Sequence, residues 1–181
     1  MKILELLNFG SKLLKNNNIL THKIDSEILL SKVLGRSREK ILINLDKNIN
    51  DKNISEFSKL LKRRRLKEPV AYILEEKEFW SKKFKVNQNT LIPRPETELL
   101  VEELVKIYKD KSISVLDVGT GSGCILISLL SEIKQSSGIG IDISSKALTI
   151  ARDNLKIHKI DKSIKLLNKS FNDINYCKFD L

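Results

Sequence analysis

A glycine-rich turn between a buried apolar run and a helical segment constrains this sequence more than any other feature. Residues 116–124 are Leu-Asp-Val-Gly-Thr-Gly-Ser-Gly-Cys, so three of the five residues after Val118 are glycines. Glycine lets the backbone turn tightly and approach a ligand without interference from Cβ. The helix that follows presents unpaired N–H groups to such a ligand. The pattern predicts a ligand-binding loop between a strand and a helix.

From residue 113 onward, apolar runs alternate with helical patterns. Ser144 is a candidate N-cap for the second of these helices. Alternation of strands and helices predicts a parallel sheet covered by helices. The predicted elements are strands over 113–118, 138–143 and 164–167 and helices over 124–133 and 145–157.

An acidic residue lies at the end of the second predicted strand. Asp142 follows Gly123 by 19 residues, and a carboxylate at this point of a Rossmann-like sheet can accept both hydroxyls of a ribose. Asp142 and the glycines together indicate a site for a nucleoside cofactor.

The spacing of the glycines favours S-adenosylmethionine over a nicotinamide dinucleotide. The dinucleotide fingerprint is Gly-x-Gly-x-x-Gly, whereas here the order is Gly-x-Gly-x-Gly and Cys124 occupies the position that serves helix packing. Asp117, two residues before the first glycine, would repel a pyrophosphate but suits a cofactor with an ammonium group. A turn that only reverses the chain is the alternative to both cofactors.

The first half of the chain is much more basic than the second. The 181 residues carry 33 Lys+Arg against 23 Asp+Glu, and residues 1–90 hold +9 of the net +10. This asymmetry is typical of two modules, one of which can contact nucleic acid weakly, although the Lys- and Asn-rich composition of an AT-rich genome is the simpler explanation. Two distant cysteines and no membrane-spanning apolar run predict a cytoplasmic protein without a disulfide framework or metal site.

Residues 1–68 have helical periodicity throughout. Thr21 is a candidate cap for a second helix that stops near Gly35, and Asn50 or Asp51 for a later, longer one. We predict a small helical bundle that ends at Pro69.

Residues 69–95 have a different pattern, in which polar and apolar residues alternate over 78–80 and 83–86. Such alternation on both sides of a short turn predicts a β-hairpin. The run Pro93-Arg94-Pro95 forces extended backbone, and Pro95 suits the first position of the next helix.

Several of these motifs resemble those of the peptide chain release factor N5-glutamine methyltransferases. The run Thr-Leu-Ile-Pro-Arg-Pro-Glu-Thr-Glu at 90–98 is the most specific, because many methyltransferases share the glycine loop. The other matching segments are residues 25–30, 35–36, 63–65, 68–69, 78–80 and 116–123.

The resemblance implies an α/β chain in three parts. These are an N-terminal helical bundle that helps to dock the substrate (1–68), a β-hairpin linker (69–95) and the first half of a Rossmann-like S-adenosylmethionine-dependent methyltransferase domain (96–181). It also implies methyl transfer to the side-chain amide of the Gln in the Gly-Gly-Gln motif of class 1 peptide chain release factors. The cofactor contacts that it implies are Gly119, Thr120, Gly121, Ser122, Gly123, Asp142 and Phe171.

Phe171 would stack on the adenine after the third strand. The family has an acidic residue before this aromatic, whereas here Ser170 precedes it. An ordinary core aromatic is the alternative role.

The family's Asn-Pro-Pro-Tyr signature, which holds the target amide after the fourth strand, does not occur in the 181 residues. Residues 178–181 resemble the start of that strand. We therefore expect that these residues alone do not methylate and bind the cofactor weakly. We also expect an unpaired edge on the first strand of the sheet.

Two other functions are compatible with the sequence. A nucleic-acid amino-methyltransferase would use a similar loop, and the basic first half suits an RNA or DNA substrate. In a non-enzymatic alternative, residues 1–95 act alone as a helical binding module. The run Arg63–Arg65 is either a polyanion contact or a solvated helix end, and Arg94 either orients substrate or braces the domains.

Overall fold

A computed structural model of the protein describes residues 1–174 and 178–181. Cys177, which the sequence predicts to be a small buried residue, lies outside this part. The described chain divides into two compact units, Met1–Leu74 and Glu75–Leu181.

The first unit is helical, and its apolar core lies among its own helices. Its elements are α1 (Ile3–Lys15), α2 (His22–Leu34), α3 (Arg38–Leu42), α4 (Asp51–Arg65) and α5 (Val70–Leu74). Side chains spaced three or four residues apart line the inner faces of these helices. The most deeply buried of them are Ile3, Leu6, Leu14, Leu29, Leu30, Ile41, Phe57 and Leu61.

Close packing of α1 against α2 and α4 depends on Gly10. A Cβ atom at this position would lie 2.5 Å from Oγ of Ser26 and 2.9 Å from the ring of Phe57. Any larger residue at position 10 must therefore move the neighbouring helices.

Two of the predicted helix ends are confirmed, and one predicted cap is wrong. The Asn50 side chain accepts a hydrogen bond from the Asn53 N–H at 2.9 Å, and Gly35 ends α2 in the left-handed conformation with φ of 59°. Thr21 stands before α2, but its hydroxyl donates to the Asp25 carboxylate at 2.8 Å. The Thr21 hydroxyl is directed at this buried carboxylate and accepts no hydrogen bond from the first turn of the helix.

Pro69 does not end the helices of this unit, contrary to the prediction. Its carbonyl accepts hydrogen bonds from the N–H groups of Tyr72 and Ile73 at 3.0 and 3.1 Å, and α5 begins at the next residue. Proline lacks only the N–H that the first turn of a helix leaves unpaired, so it starts a helix as readily as it stops one.

The second unit begins with the predicted β-hairpin. Strands β1 (Glu76–Phe79) and β2 (Lys82–Lys85) pair antiparallel, with Glu76 opposite Lys85. Trp80 and Ser81 form the turn, each with φ of 52°, because a two-residue hairpin loop needs left-handed residues to match the twist of its strands. Trp80 therefore lies in the turn and not in the predicted strand.

Helix α6 (Thr97–Tyr108) starts two residues later than predicted. The carbonyls of Arg94 and Pro95 accept from the N–H groups of Thr97 and Glu98 at 3.1 and 3.0 Å. Pro95 therefore belongs to a turn that leads into the helix.

The predicted alternation of strands and helices is confirmed. The elements are β3 (Ser114–Val118), α7 (Cys124–Glu132), β4 (Ser137–Asp142), α8 (Ser145–Ile157) and β5 (Ile164–Asn168), followed by a single 3-10 turn, Phe171–Asp173. In the described chain the three strands form a parallel sheet in the order β3-β4-β5. Ser144 caps α8 by accepting from the Ala147 N–H at 3.1 Å.

β3 is the edge strand of this sheet, but its other edge is paired over part of its length, whereas we expected it to be unpaired. The Leu116 N–H donates to the Leu181 carbonyl at 2.8 Å, and the Leu181 N–H donates to the Ser114 carbonyl at 3.3 Å. This alternation is the hydrogen-bond pattern of parallel strands. The Asp180 carboxylate also accepts from the Ser114 N–H and hydroxyl at 2.7 and 2.8 Å, which lowers the pKa of Asp180. In the described chain β3 thus has a neighbour on each side.

Candidate cofactor site

The glycine loop connects the end of β3 to α7, where the sequence predicts it. Gly119, Gly121 and Gly123 have φ of 77°, 56° and 79°, a region in which any other residue type is strained. A Cβ atom on Gly119 would meet nothing within 4 Å, and one on Gly121 only a backbone oxygen at 3.8 Å. The loop is thus a cradle with open space beside its first two glycines.

The neighbouring strand holds the loop in this shape. The N–H groups of Gly119 and Thr120 both donate to the Ile141 carbonyl at 2.9 Å, and the Gly123 N–H donates to the Thr120 carbonyl at 2.8 Å. The loop's own backbone hydrogen bonds therefore attach it to the carboxyl end of β4.

Asp142 lies directly against the loop. One of its carboxylate oxygens accepts from the Gly121 N–H at 3.0 Å and the other from the Ser144 N–H at 2.8 Å. The Asn168 side-chain amide donates to the Asp142 carbonyl at 2.8 Å. The ends of β3, β4 and β5 thus meet at one edge of the sheet, with Asp142 at their centre.

Asp117, at the end of β3, is a carboxylate in an unfavourable position. Burial raises its pKa, and the nearby Asp142 charge raises it further, while a hydrogen bond from the Thr120 hydroxyl at 2.7 Å acts in the opposite direction. A cation at this place would relieve the cost of the buried charge.

Phe171 lies in the short turn after β5, and 61% of its surface is exposed. It is therefore not an ordinary core aromatic. An exposed ring close in sequence to a strand end is available for stacking.

Cys124, at the start of α7, is buried. Burial raises the pKa of its thiol to about 11, so the thiol is protonated at neutral pH and unreactive.

Two residues that support the loop escaped the sequence reasoning. A Cβ on Gly140 would lie 3.0 Å from the Thr120 hydroxyl, so only glycine in β4 lets Thr120 approach the strand. A glycine inside a strand is a known signal of such close approach. Asn154 of α8 donates to the Ser122 carbonyl at 2.8 Å, and no local pattern marks it.

The arginine run at the end of α4 is used largely within the helical unit. Arg63 donates two hydrogen bonds to the Glu68 carboxylate, at 2.8 and 2.6 Å, and Arg64 donates to the buried Asp25 at 2.7 Å. Two of the three guanidinium groups are therefore already paired with carboxylates.

Within residues 1–174 and 178–181, no group of His, Cys, Asp or Glu side chains is arranged to hold a metal ion. None of the helices in those residues has the length and apolar character of a membrane span.

Both halves of the chain match known domain families. Residues 5–74 match the PrmC N-terminal domain, and residues 109–181 match a methyltransferase domain. The fold, the glycine loop and these two matches define a methyltransferase domain preceded by a helical N-terminal domain.

Individual proteins that are similar to this chain include several methyltransferases. A release factor glutamine methyltransferase of Buchnera aphidicola is 41% identical over 172 residues, which are 94% of this chain and 60% of that protein. A bifunctional methyltransferase of Rickettsia typhi is 36% identical over 99% of this chain and 38% of that protein. Among solved structures, ribosomal protein L11 methylase from Lactobacillus delbrueckii aligns with a TM-score of 0.44 and 28% identity over 52% of this chain and 48% of that one.

The chain is thus similar over most of its length to release factor glutamine methyltransferases, whose motifs the segments 90–98 and 116–123 resemble. It spans between about two fifths and three fifths of the length of the two relatives just described.

Proposed function

We propose that the chain carries the cofactor site and the docking domain of an S-adenosylmethionine-dependent methyltransferase. Its substrate is the side-chain amide of the Gln in the Gly-Gly-Gln motif of class 1 peptide chain release factors. The observation that carries the proposal is the open glycine cradle with Asp142 bonded to its centre. Support for the substrate comes from the relatives named as release factor glutamine methyltransferases.

The geometry of Asp142 suits a ribose. Each carboxylate oxygen accepts one backbone N–H, which fixes its orientation and leaves a further lone pair on each oxygen. Two oxygens held in this way can accept the two hydroxyls of one ribose. The loop residues Gly119, Thr120, Gly121, Ser122 and Gly123 lie beside this carboxylate and complete the proposed binding surface.

Two further residues would complete the recognition of the cofactor. Asp117 would accept the ammonium group, which offsets the cost of its buried charge. Phe171, exposed after β5, would stack on the adenine. When bound, S-adenosylmethionine supplies an electrophilic methyl group on its sulfonium.

The helical bundle, placed by the sequence at residues 1–68, is proposed as the docking domain. Leu20, Ile43 and Leu66 of the helical unit are 96%, 79% and 78% exposed. Single exposed apolar side chains are common on protein surfaces, so the proposal rests on the match of residues 5–74 to the PrmC N-terminal domain. The pairing of Arg63 and Arg64 with carboxylates gives no support to nucleic acid as the substrate.

We further propose that these 181 residues alone do not transfer the methyl group. An amide nitrogen is a poor nucleophile, and it must be positioned and polarised by groups that accept its N–H bonds. The Asn-Pro-Pro-Tyr signature that would do this does not occur in the sequence. A methylation assay on a class 1 release factor with normal turnover by this chain would overturn this part of the proposal.

Calorimetric titration tests the cofactor site. We expect S-adenosylmethionine or its demethylated product to bind, and NAD not to bind under the same conditions. Binding of NAD, or of neither ligand, would refute the assignment.

Binding of partners tests the substrate. We expect the chain to retain a class 1 release factor at a salt concentration at which RNA is released, because RNA binding falls steeply with salt. A salt-sensitive RNA complex without release-factor binding would instead favour a nucleic-acid methyltransferase.

A further inference from the structure

One buried side chain joins the cofactor loop to the β-hairpin. Asn154, in the last part of α8, is completely buried. Its side-chain oxygen accepts from the Lys85 N–H at 2.7 Å, and its amide nitrogen donates to the carbonyls of Lys85 and Ser122 at 3.0 and 2.8 Å. Lys85 ends β2, whereas Ser122 lies in the glycine loop.

The three contacts need the donor and acceptor set of an asparagine. Both the N–H and the carbonyl of Lys85 are bonded by one amide, as a neighbouring strand would bond them, and the second N–H of that amide remains for Ser122. An aspartate has no donor for either carbonyl, and a leucine would leave three backbone groups without this partner, one of them in a buried contact.

The bond to Ser122 fixes the peptide unit on which the loop turns into α7. The carbonyl of this unit accepts from Asn154, and its N–H, on Gly123, donates to the Thr120 carbonyl at 2.8 Å. A peptide plane bonded at both ends cannot rotate without breaking a buried hydrogen bond. Asn154 therefore sets the orientation of the last turn of the cradle.

Other residues of the same helix hold the hairpin. Asp153 pairs with the Lys85 ammonium at 2.8 Å, and the His158 ring contacts the Lys83 carbonyl at 3.0 Å and packs on the Phe84 ring. These contacts attach β2 to α8 without touching the loop. Of these side chains, Asn154 is the one that contacts both the hairpin and the glycine loop.

We propose that Asn154 is a positioning residue that couples the β-hairpin to the cofactor loop, so that binding at the loop orders the hairpin and the chain that follows it. The proposal rests on the proposed cofactor site. It assigns to the hairpin a part in cofactor binding, through the amide that bonds both Lys85 and Ser122.

The experiment compares Asn154→Leu with two matched controls in the 181-residue chain. Leu155→Ala removes buried side-chain volume at the next position and keeps the Asn154 hydrogen bond to Ser122, and His158→Ala loosens the hairpin without touching Ser122. Below the unfolding transition, we expect Asn154→Leu to weaken binding of S-adenosylmethionine about tenfold. Both controls should change it less than about threefold. Equal loss in Leu155→Ala at equal thermal stability would overturn the proposal.

Amide hydrogen exchange supplies a readout that a purely structural role would not move. In the unmodified chain, cofactor should slow exchange in both the loop and the hairpin. In Asn154→Leu it should slow exchange in the loop alone. Hairpin protection that persists in the variant would overturn the coupling. If Asn154→Leu does not fold, Asn154→Ser, which keeps a polar group, takes its place with the same expected outcomes.

Exchange without cofactor separates this inference from the proposed function. The Gly123 amide should exchange faster in the Asn154 variant than in Leu155→Ala, whether or not any cofactor binds. If the unmodified chain binds no S-adenosylmethionine, the proposed function fails. An unchanged Gly123 exchange rate refutes the positioning role itself.

Discussion

The two units of the molecule use their buried polar groups for different purposes. In the helical unit, Asp25 and Arg64 pair with each other, and the Ser26 hydroxyl donates to the Leu7 carbonyl at 3.0 Å. These bonds join helix to helix. In the second unit, Asn154 and Asp142 bond the backbone of a loop whose glycines border open space. Buried polarity thus stabilises packing in one unit and preorganises a binding surface in the other.

The largest expected effect comes from breaking the ion pair of the helical unit. Asp25→Ala leaves Arg64 largely buried without its carboxylate, which should lower the free energy of unfolding of this unit by about 3 kcal/mol. Cofactor affinity should not change. Urea denaturation followed by circular dichroism, with calorimetric titration, checks both statements. Asp46→Ala is the control, because 93% of that side chain is exposed. A parallel loss of cofactor affinity in Asp25→Ala would break the comparison.

The reciprocal change is Asp142→Ala in the second unit. Loss of a carboxylate that is proposed to accept two ribose hydroxyls should weaken S-adenosylmethionine binding about 100-fold, with little change in the unfolding of the helical unit. Titration calorimetry measures the affinity, and Asp161→Ala, an exposed acidic residue, controls for net charge. Retention of full affinity would remove Asp142 from the site.

Alanine substitutions at two glycines, one in each unit, test the comparison between the two units. Gly10→Ala places a Cβ against Ser26 and Phe57 and should destabilise the helical unit by about 2 kcal/mol. Gly119→Ala meets no atom but has φ of 77°, which costs about 1 kcal/mol in strain. Thermal unfolding ranks the two variants. A larger loss for Gly119→Ala would contradict the distinction between steric and conformational demands.

The smallest expected effect is a pH dependence of cofactor binding. Burial raises the pKa of Asp117, so this carboxyl takes up a proton at a higher pH than an ordinary aspartate does, and a protonated carboxyl attracts an ammonium less. Affinity should therefore fall by about threefold as the pH drops through the raised pKa.

Asp117→Asn is the matched variant for this measurement, and its titrations should show a flatter pH profile. The pKa of Asp117 is higher in the folded chain than in the unfolded chain. Protonation of this carboxyl therefore stabilises the folded state, and the effect is largest at pH values below the ordinary pKa of aspartate. This contribution is lost as the pH rises through the raised value. A pH profile unaltered by the substitution would assign the dependence to another group.

Local signals explain the parts of the fold that the sequence predicts well. Helix α8 runs from Ser145 to Ile157 as expected, because the Ser144 cap and its partner are three residues apart. The positions of the glycine loop and Asp142 are predicted equally well, because strand, turn and acidic residue follow one another in a fixed order along the sequence.

The wrong predictions have a common physical cause. In each case the residue bonds a partner other than the predicted one, or a second structure suits the residue equally well. Thr21 bonds a carboxylate instead of the helix, Pro69 starts a helix, and β3 finds Leu181 on its free side. Asn154 could not be predicted, because its partners lie 32 and 69 residues away along the chain. Contacts over such distances leave no local pattern.

The pairing of β3 on both sides has a consequence for the order of folding. Ser114 and Asp180 are 66 residues apart, and closing a long loop is entropically costly and slow. Because N-terminal segments leave the ribosome first during synthesis, the helical unit can reach its native state while β3 still awaits its second neighbour. Within these 181 residues, the contact between β3 and Leu181 is then among the last to form.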